Sequence, residues 1–362
     1  MANDRRAVKN ASVHREPTRT PGSTIVRRFV LVALLASIVP LAVFGDHRPV
    51  GATTPGAASG AATDLRVVVV NLLHGTFCDD GANCDAPDRV ALFTRQLADG
   101  GCPPVVGIQE VSDTLRPLIT SATDRICGGR YRAVFADTPG NDEELVLTTL
   151  PVRSSRLLDL PGPLRHAARV VLDDGGRDVV VVVTHQDGDA GFPLCRATPA
   201  RYRCPAPCPE GTDFPRCQTI LADRLARAPR VRPGSVRILM GDFNVTPDSP
   251  RYTWLTGRGW IDTHRGAGNP ECDPATGTGC TSGRDDKTLA VLRDPTARET
   301  ERIDFIFVKP PKGCTAAFDG PDDPDRDGLG TGPFAAEPAT DGPAGLVWPS
   351  DHTAVSMDMS CP

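Results

Sequence analysis

The sequence predicts an α/β fold built on largely antiparallel sheets. Strand-like runs outnumber helical stretches, and many neighbouring strands are joined by turns rather than by helices. The strands are continuous and β-branched, as in Leu65–Asn71 (LRVVVVN) and the Val179–Thr184 run, which marks them as buried. A doubly wound parallel sheet would need a crossover helix after most strands, and those helices are not there.

In chain order, Leu65–Asn71 is the first strand. Pro87–Asp99 reads as a helix carrying Val90, Leu92, Phe93 and Leu97, closed by Gly100 and Gly101. Val105–Gln109 is a second strand, and Ser112 begins a short helix with Leu115 and Leu118 on one face. Tyr131–Ala136, Leu145–Thr149 and Val152–Leu158 are three strands with turns between them. Ala168–Leu172 and Val179–Thr184 form a hairpin around Asp173-Asp174-Gly175-Gly176. Residues 188–215 are a Cys/Pro-rich loop, followed by a helix over Arg216–Ala228 with Ile220, Leu221 and Leu225. Val236–Met240, Arg302–Val308 and Thr353–Met359 complete the strands. Trp254 and Trp260 flank a short helix and read as core. There is no internal repeat.

The N-terminus reads as an export element. Residues 1–28 are polar and carry seven basic side chains against Asp4 and Glu16; the run Phe29–Phe44 is then uncharged over 16 residues. That is short of the ~20 residues of a membrane span and fits a signal peptide, with an uncleaved anchor as the alternative. Both place the remainder outside the cytoplasm. The expected organisation is an export signal or signal anchor over 1–45, a small-residue linker over 46–63 and one domain over 64–362. Without its first 45 residues the chain's formal charge falls from −5 to −10, which argues against a wrapping DNA binder but not against an enzyme that grips few phosphates.

All twelve cysteines lie beyond the export element, an even number suited to disulfides in an oxidising compartment. Sequence proximity suggests Cys78–Cys84, Cys102–Cys127 and Cys272–Cys280, and Cys314–Cys361 would tie down the C-terminus. Cys195, Cys204, Cys208 and Cys217 form disulfides or, as the alternative, a zinc site, although their spacing lacks short Cys-x2-Cys knuckles.

Chemistry-bearing residues sit at strand ends: Asn71, Gln109-Glu110, Thr184-His185, Gly241-Asp242-Phe243-Asn244, Arg302-Ile303-Asp304 and Ser350-Asp351-His352. They are carboxylates, amides and histidines, with no Ser or Cys in a nucleophile motif. Oxygen donors suit a hard cation, and histidines beside carboxylates suit acid/base work. The set points to metal-assisted hydrolysis of a phosphoester. His74, close to Asn71, reads as a structural loop residue. A separate run, Asp323, Asp325, Asp327 and Gly328, matches the first half of a calcium loop, but Phe334 stands where the bidentate Glu belongs; the other reading is an acidic exposed loop.

These six motifs, in this order, resemble the endonuclease/exonuclease/phosphatase superfamily over roughly residues 65–359. The resemblance implies a two-sheet β-sandwich flanked by helices, a four-layer fold, and Mg2+ or Mn2+ as cofactor; structural Ca2+ is the candidate for the separate acidic loop alone. It implies that Glu110, with Asn71, holds the metal and that Asp351 faces it. Asp242 would contact the attacking water or a metal, and Asn244 a phosphate oxygen. His352 would be the general base, oriented by Asp304, and His185 would donate to a phosphoryl oxygen.

The segment after His185 (Gln186-Asp187-Gly188-Asp189) departs from the family's Thr-His-Leu pattern. His185 argues against the abasic-site exonuclease branch, and Arg302-Ile303-Asp304-Phe305 differs from the inositol phosphatase pattern. Secreted deoxyribonuclease-like and sphingomyelinase- or phospholipase-like enzymes remain, together with small-molecule phosphoesterases. No Trp- or Phe-rich hairpin offers a bilayer prong. The expectation is a secreted, metal-dependent phosphodiesterase acting as a monomer on a phosphoester, nucleic acid ahead of lipid, without a stable protein partner. A non-catalytic binding module is the alternative from another class.

Overall fold

A computed structural model of the chain describes residues 63–74, 82–135, 143–162, 164–196, 203–284, 289–311 and 331–361. The expected export signal, most of the linker, Cys78, Cys314 and the candidate calcium loop at Asp323, Asp325 and Asp327 lie outside the described residues.

Twelve strands are described: β1 (Thr63–Asn71), β2 (Val105–Val111), β3 (Arg132–Phe135), β4 (Glu143–Thr148), β5 (Val152–Asp159), β6 (His166–Asp174), β7 (Arg177–His185), β8 (Val236–Asp242), β9 (Ile261–Asp262), β10 (Asp304–Lys309), β11 (Thr331–Phe334) and β12 (Ala354–Cys361). They form two six-stranded sheets, in the orders β11-β12-β1-β2-β4-β3 and β5-β6-β7-β8-β10-β9. Each sheet contains one parallel pair, β1 with β2 and β7 with β8, among antiparallel neighbours. The two-sheet sandwich implied by the resemblance is therefore the observed fold.

Alternation along the strands sorts side chains into layers. Val67 and Val69 of β1, Val181 and Val183 of β7, Ile238 and Met240 of β8, Ile306 of β10 and Met357 of β12 meet between the sheets. The opposite parity of the first sheet packs under α1 (Ala86–Asp99) and α2 (Leu115–Thr123) through Phe93, Leu97, Leu115 and Ile119. The outer face of the second sheet is covered by α3 (Phe214–Ala226) and α4 (Pro250–Gly257) through Leu221, Leu225, Tyr252 and Leu255 on Phe305 and Phe307. Trp260 is core, as expected, and its Nε1 donates to Asp223 (2.8 Å). Trp254 is only half-buried, with the Arg258 guanidinium over its ring. The sheets close tightly at Gly107, where a Cβ would lie 2.6 Å from the Met240 methyl.

Helix boundaries shift from the sequence expectation by the capping chemistry. The third helix starts at Phe214 because the Asp213 carboxylate caps it, accepting from Arg216 N. The second starts three residues beyond Ser112, whose Oγ accepts from Leu115 N at 3.2 Å, and its buried face is Leu115, Ile119 and Ala122; Leu118 is half-buried.

The pairs Cys102–Cys127 and Cys272–Cys280 are formed as expected. Cys195 pairs with Cys204 and Cys208 with Cys217, so these sulfurs are committed to disulfides and the zinc alternative is set aside. Cys84 is disulfide-bonded. No helix among the described residues is long and apolar enough to cross a membrane.

Candidate active site

The site is the polar continuation of the layer between the sheets. Along β1 the inward parity runs Leu65, Val67, Val69 and then Asn71; along β8 it runs Val236, Ile238, Met240 and then Asp242. Strand β7 delivers His185 after Val183, β2 delivers Gln109 after Gly107, and antiparallel β10 brings in Asp304 before Ile306. The apolar stack ends at the same level in both sheets: Asn71 is paired with Gln109, and Asp242 with both His185 and Asp304. Strand alternation thus gathers side chains from five strands at one end of the sandwich.

Glu110 reaches the site by breaking that alternation. It sits in a bulge of β2 against β4, with φ at +60°, a left-handed conformation costly for a residue with a Cβ. Its carboxylate is held twice: Oε1 accepts from Asn71 Nδ2 (2.8 Å) and Oε2 from the backbone N–H of His74 (3.0 Å). His74 is a loop residue, as read from sequence, but the loop places it against the metal-type carboxylate, with Nε2 3.7 Å from Oε2. The same Asn71 Nδ2 lies 3.2 Å from Asp242 Oδ2, so one amide bridges the carboxylates of the two sheets.

Asp242 and Asn244 share a tight turn. Asp242 Oδ1 accepts from Asn244 N (2.8 Å), and Asn244 Nδ2 donates to Gln186 O (2.8 Å). Gly241 permits the turn: a Cβ there would sit 1.8 Å from the carbonyl oxygen of Thr184. His185 lies between Asp242 (Nε2 to Oδ2, 3.5 Å) and Arg165, whose Nη1 is 3.2 Å from Nδ1. Arg165 Nη1 faces Nδ1, and Asn244 Nδ2 lies 3.1 Å from Nε2; both are N–H donors, so these contacts do not select one tautomer of the ring.

Across the site, His352 Nδ1 and Asp304 Oδ2 are 2.8 Å apart and both residues are buried. Burial alone would lower the imidazole, but the carboxylates of Asp304, Asp351 and Asp242 outweigh it and hold His352 well above the ordinary histidine range. Burial also raises Asp304, against the pull of His352. His352 Nε2 faces into the site, 4.0 Å from Asp242 Oδ2. Asp351 is half-buried beside it and accepts from Ser350 Oγ (3.1 Å).

Every sequence-named site residue that is described, namely Asn71, Glu110, His185, Asp242, Asn244, Asp304, Asp351 and His352, therefore falls in one cluster.

Glu110 and Asp242, sharing one amide donor, with Asp351 nearby, concentrate negative charge on hard oxygen atoms, a donor set that fits a small divalent cation. Asp242, Asp304 and His352 also bring ligand-type atoms within 4.8 Å of one another. The His352 nitrogen facing Asp304 is committed to that carboxylate, which leaves Nε2 as the nitrogen that this grouping turns toward Asp242.

Several supporting residues escaped the sequence reading. Arg89 is fully buried in α1 and donates to the carbonyls of Cys84, Leu72, Leu73 and Pro349, binding the Asn71 loop to the loop before His352. Its burial lowers the guanidinium to about 10. Arg251 does the same for the other sheet, donating to Asp187 O (2.7 Å) and Phe243 O (3.1 Å). Arg284 lies over Trp348, pairs with Glu299 (2.5 Å) and reaches Thr353 Oγ1 (3.3 Å) next to His352. A signal existed for Arg89: it stands on the stripe Ala86, Val90, Phe93 and Leu97, where a cation needs acceptors.

A model of the Endonuclease/Exonuclease/phosphatase family matches residues 68–352. No curated protein sequence matches the chain. Among solved structures, truncated Caenorhabditis elegans TDP2 is similar with a TM-score of 0.52 at 15% identity, covering 83% of this chain and 98% of that one. An endonuclease/exonuclease/phosphatase family protein from Bacteroides thetaiotaomicron is similar with a TM-score of 0.55 at 16% identity, covering 83% and 99%. D. rerio TDP2, whose structure holds a single-strand DNA product, gives 0.54 at 15% identity, covering 82% and 98%. At these identities the likeness is one of fold.

Proposed function

Because this chain belongs to the endonuclease/exonuclease/phosphatase family, whose members are generally metal-dependent phosphoester hydrolases, we propose that it is an exported, Mg2+- or Mn2+-dependent phosphodiesterase of nuclease type. The observation that carries this reading is the His352–Asp304 pair, with His352 Nε2 turned toward Asp242 and the Asn71–Glu110 pair beyond it. A base and a cation-type carboxylate set face one another, as an in-line displacement requires.

In this mechanism His352 Nε2 takes the proton of the attacking water, and Asp304 stabilises the imidazolium that forms. His185 and the Asn244 amide donate to non-bridging phosphoryl oxygens as charge builds up on them. Asn71 fixes the Glu110 and Asp242 carboxylates relative to one another. A divalent cation at Glu110 and Asp242, with Asp351 alongside, supplies the positive charge that stabilises the developing oxyanion. The domain boundaries at 45 and 63 and the extracytoplasmic location belong to the same proposal; the four described disulfides support an oxidising compartment. The DNA product held by the D. rerio TDP2 structure supports trying nucleic acid first.

The test uses the oxidised full chain with supercoiled plasmid and, in parallel, sphingomyelin vesicles, each with Mg2+ and then with chelator. Chelator-sensitive nicking is the expected result. Choline-phosphate release without nicking would move the substrate to lipid, and no hydrolysis of plasmid, RNA, vesicles or bis-p-nitrophenyl phosphate would overturn the proposal.

A further inference from the structure

Ser282 is a residue to which neither the motifs nor the proposed mechanism gives a role, yet its hydroxyl meets the reacting nitrogen. Ser282 Oγ lies 3.3 Å from His352 Nε2, the atom left free for the water once Nδ1 is committed to Asp304 at 2.8 Å. Serine, histidine and aspartate thus stand in hydrogen-bonding sequence, with the serine half-buried at the open end.

The hydroxyl is held by backbone, not by chance packing. Ser282 forms a bridge with Glu301, its N–H donating to Glu301 O (3.0 Å) and its carbonyl accepting from Thr300 N (2.8 Å) and Glu301 N (3.0 Å). Thr281, one residue earlier, accepts on Oγ1 from the backbone N–H groups of Ile303 and Asp304 (3.1 Å each). The Thr281 carbonyl accepts from Thr353 N at 2.8 Å. The loop is therefore fastened to the strand that carries Asp304 and to the residue after His352. Gly283, with φ at +120°, packs so closely on Thr300 that a Cβ would lie 2.7 Å from its nitrogen. The Cys272–Cys280 disulfide closes the segment just upstream.

Resting on the phosphodiesterase reading, we propose that Ser282 is a further residue of the reacting centre, one that holds the attacking water between its Oγ and His352 Nε2. The 3.3 Å separation is long for a strong O–H···N bond, and with the backbone fixed, rotation of the Ser282 side chain away from Nε2 makes room for a water that bridges the two groups. The water then donates one hydrogen to Nε2 and the other to Oγ, which turns its two lone pairs away from both groups and one of them toward phosphorus. In the step that follows, the first hydrogen passes to Nε2 as a proton, the water oxygen bonds to phosphorus and the P–O ester bond breaks. The leaving oxygen takes its proton from solvent, or none when it departs as p-nitrophenolate. Ser282 keeps its own proton and forms no covalent bond.

The experiment compares wild type, Ser282→Ala and Ser282→Thr, each oxidised and with matching near-UV circular dichroism, on bis-p-nitrophenyl phosphate with Mg2+. Loss of an aligning contact to the nucleophile predicts a fall in kcat of about tenfold or more in Ser282→Ala, with KM within about twofold, and partial recovery in Ser282→Thr, which keeps the hydroxyl. An unchanged kcat, or a raised KM alone, overturns the inference while leaving the function standing. Equal impairment of both variants also overturns it, because that is a packing effect. A phosphoryl adduct on Ser282 in acid-quenched wild type overturns it in favour of a serine nucleophile. No turnover by wild type overturns the function reading and this inference together.

Discussion

Nδ1 of His352 and Oδ2 of Asp304 are 2.8 Å apart in a site closed to solvent on their side, and this contact sets the pH behaviour of the protein. The imidazole is the base only when neutral. With its proton held by the surrounding carboxylates, activity should fall on the acid side at a pH above the ~6.5 of a free histidine. A cation at Glu110 and Asp242 disfavours the imidazolium, so Mg2+ should lower the His352 titration relative to chelator. NMR titration of the His352 Cε1–H in both conditions checks the sign; an upward shift with Mg2+ would contradict the placement.

Asp304→Asn should lower kcat by about 10²-fold or more, because the amide neither stabilises the imidazolium nor selects its orientation as a carboxylate does. Losing the negative charge also moves the acid limb of the pH–rate profile to lower pH. A variant that kept wild-type kcat would show that Asp304 is structural.

Glu110→Gln removes a cation-type carboxylate and keeps one acceptor oxygen, enough for either Asn71 Nδ2 or His74 N but not both. The expected outcome is a folded protein with weakened Mg2+ binding by calorimetry and at least a tenfold higher Mg2+ requirement for turnover. Binding indistinguishable from wild type would place the cation elsewhere.

Arg89→Met tests the buried guanidinium that joins the two loops. Four backbone carbonyls lose their donor, which should cost about 3–5 kcal/mol and lower Tm by roughly 6–10 °C or more. Thermal unfolding followed by circular dichroism measures it. A shift of only a degree or two would mean that water replaces the guanidinium.

Replacing Cys272 and Cys280 together by serine should cost about 2 kcal/mol of stability for so short a loop. Its effect on kcat at a temperature where the protein stays folded should be larger in proportion, because the loop carries Thr281 and Ser282 to Asp304 and His352. Equal losses in stability and kcat would make the disulfide a general staple only.

Much of the site could be read along the chain because strand alternation is a local rule. Asn71 follows Val67 and Val69 on one parity, and Asp242 follows Ile238 and Met240 on another, so each polar residue announces itself as the end of an apolar face. Glu110 is different: its direction depends on a bulge with positive φ, and no pattern in Val105–Gln109 foretells that backbone. Arg165, Arg251 and Ser282 left no signal, since each acts through partners far away in sequence, on loops whose course their own residues do not dictate.

The strands other than the short β9 and β11, and the kinds of polar group at their ends, are legible along the chain because side-chain alternation and turn chemistry act over a few residues, although β5 is largely exposed. The tertiary structure alone decided that His352 meets Asp304 and Ser282, that one Asn71 amide spans Glu110 and Asp242, and that Cys195 pairs with Cys204 rather than holding zinc. Those contacts depend on the stacking of two sheets and on loop closure over long stretches of chain, where the packing of the whole domain sets the distance between groups.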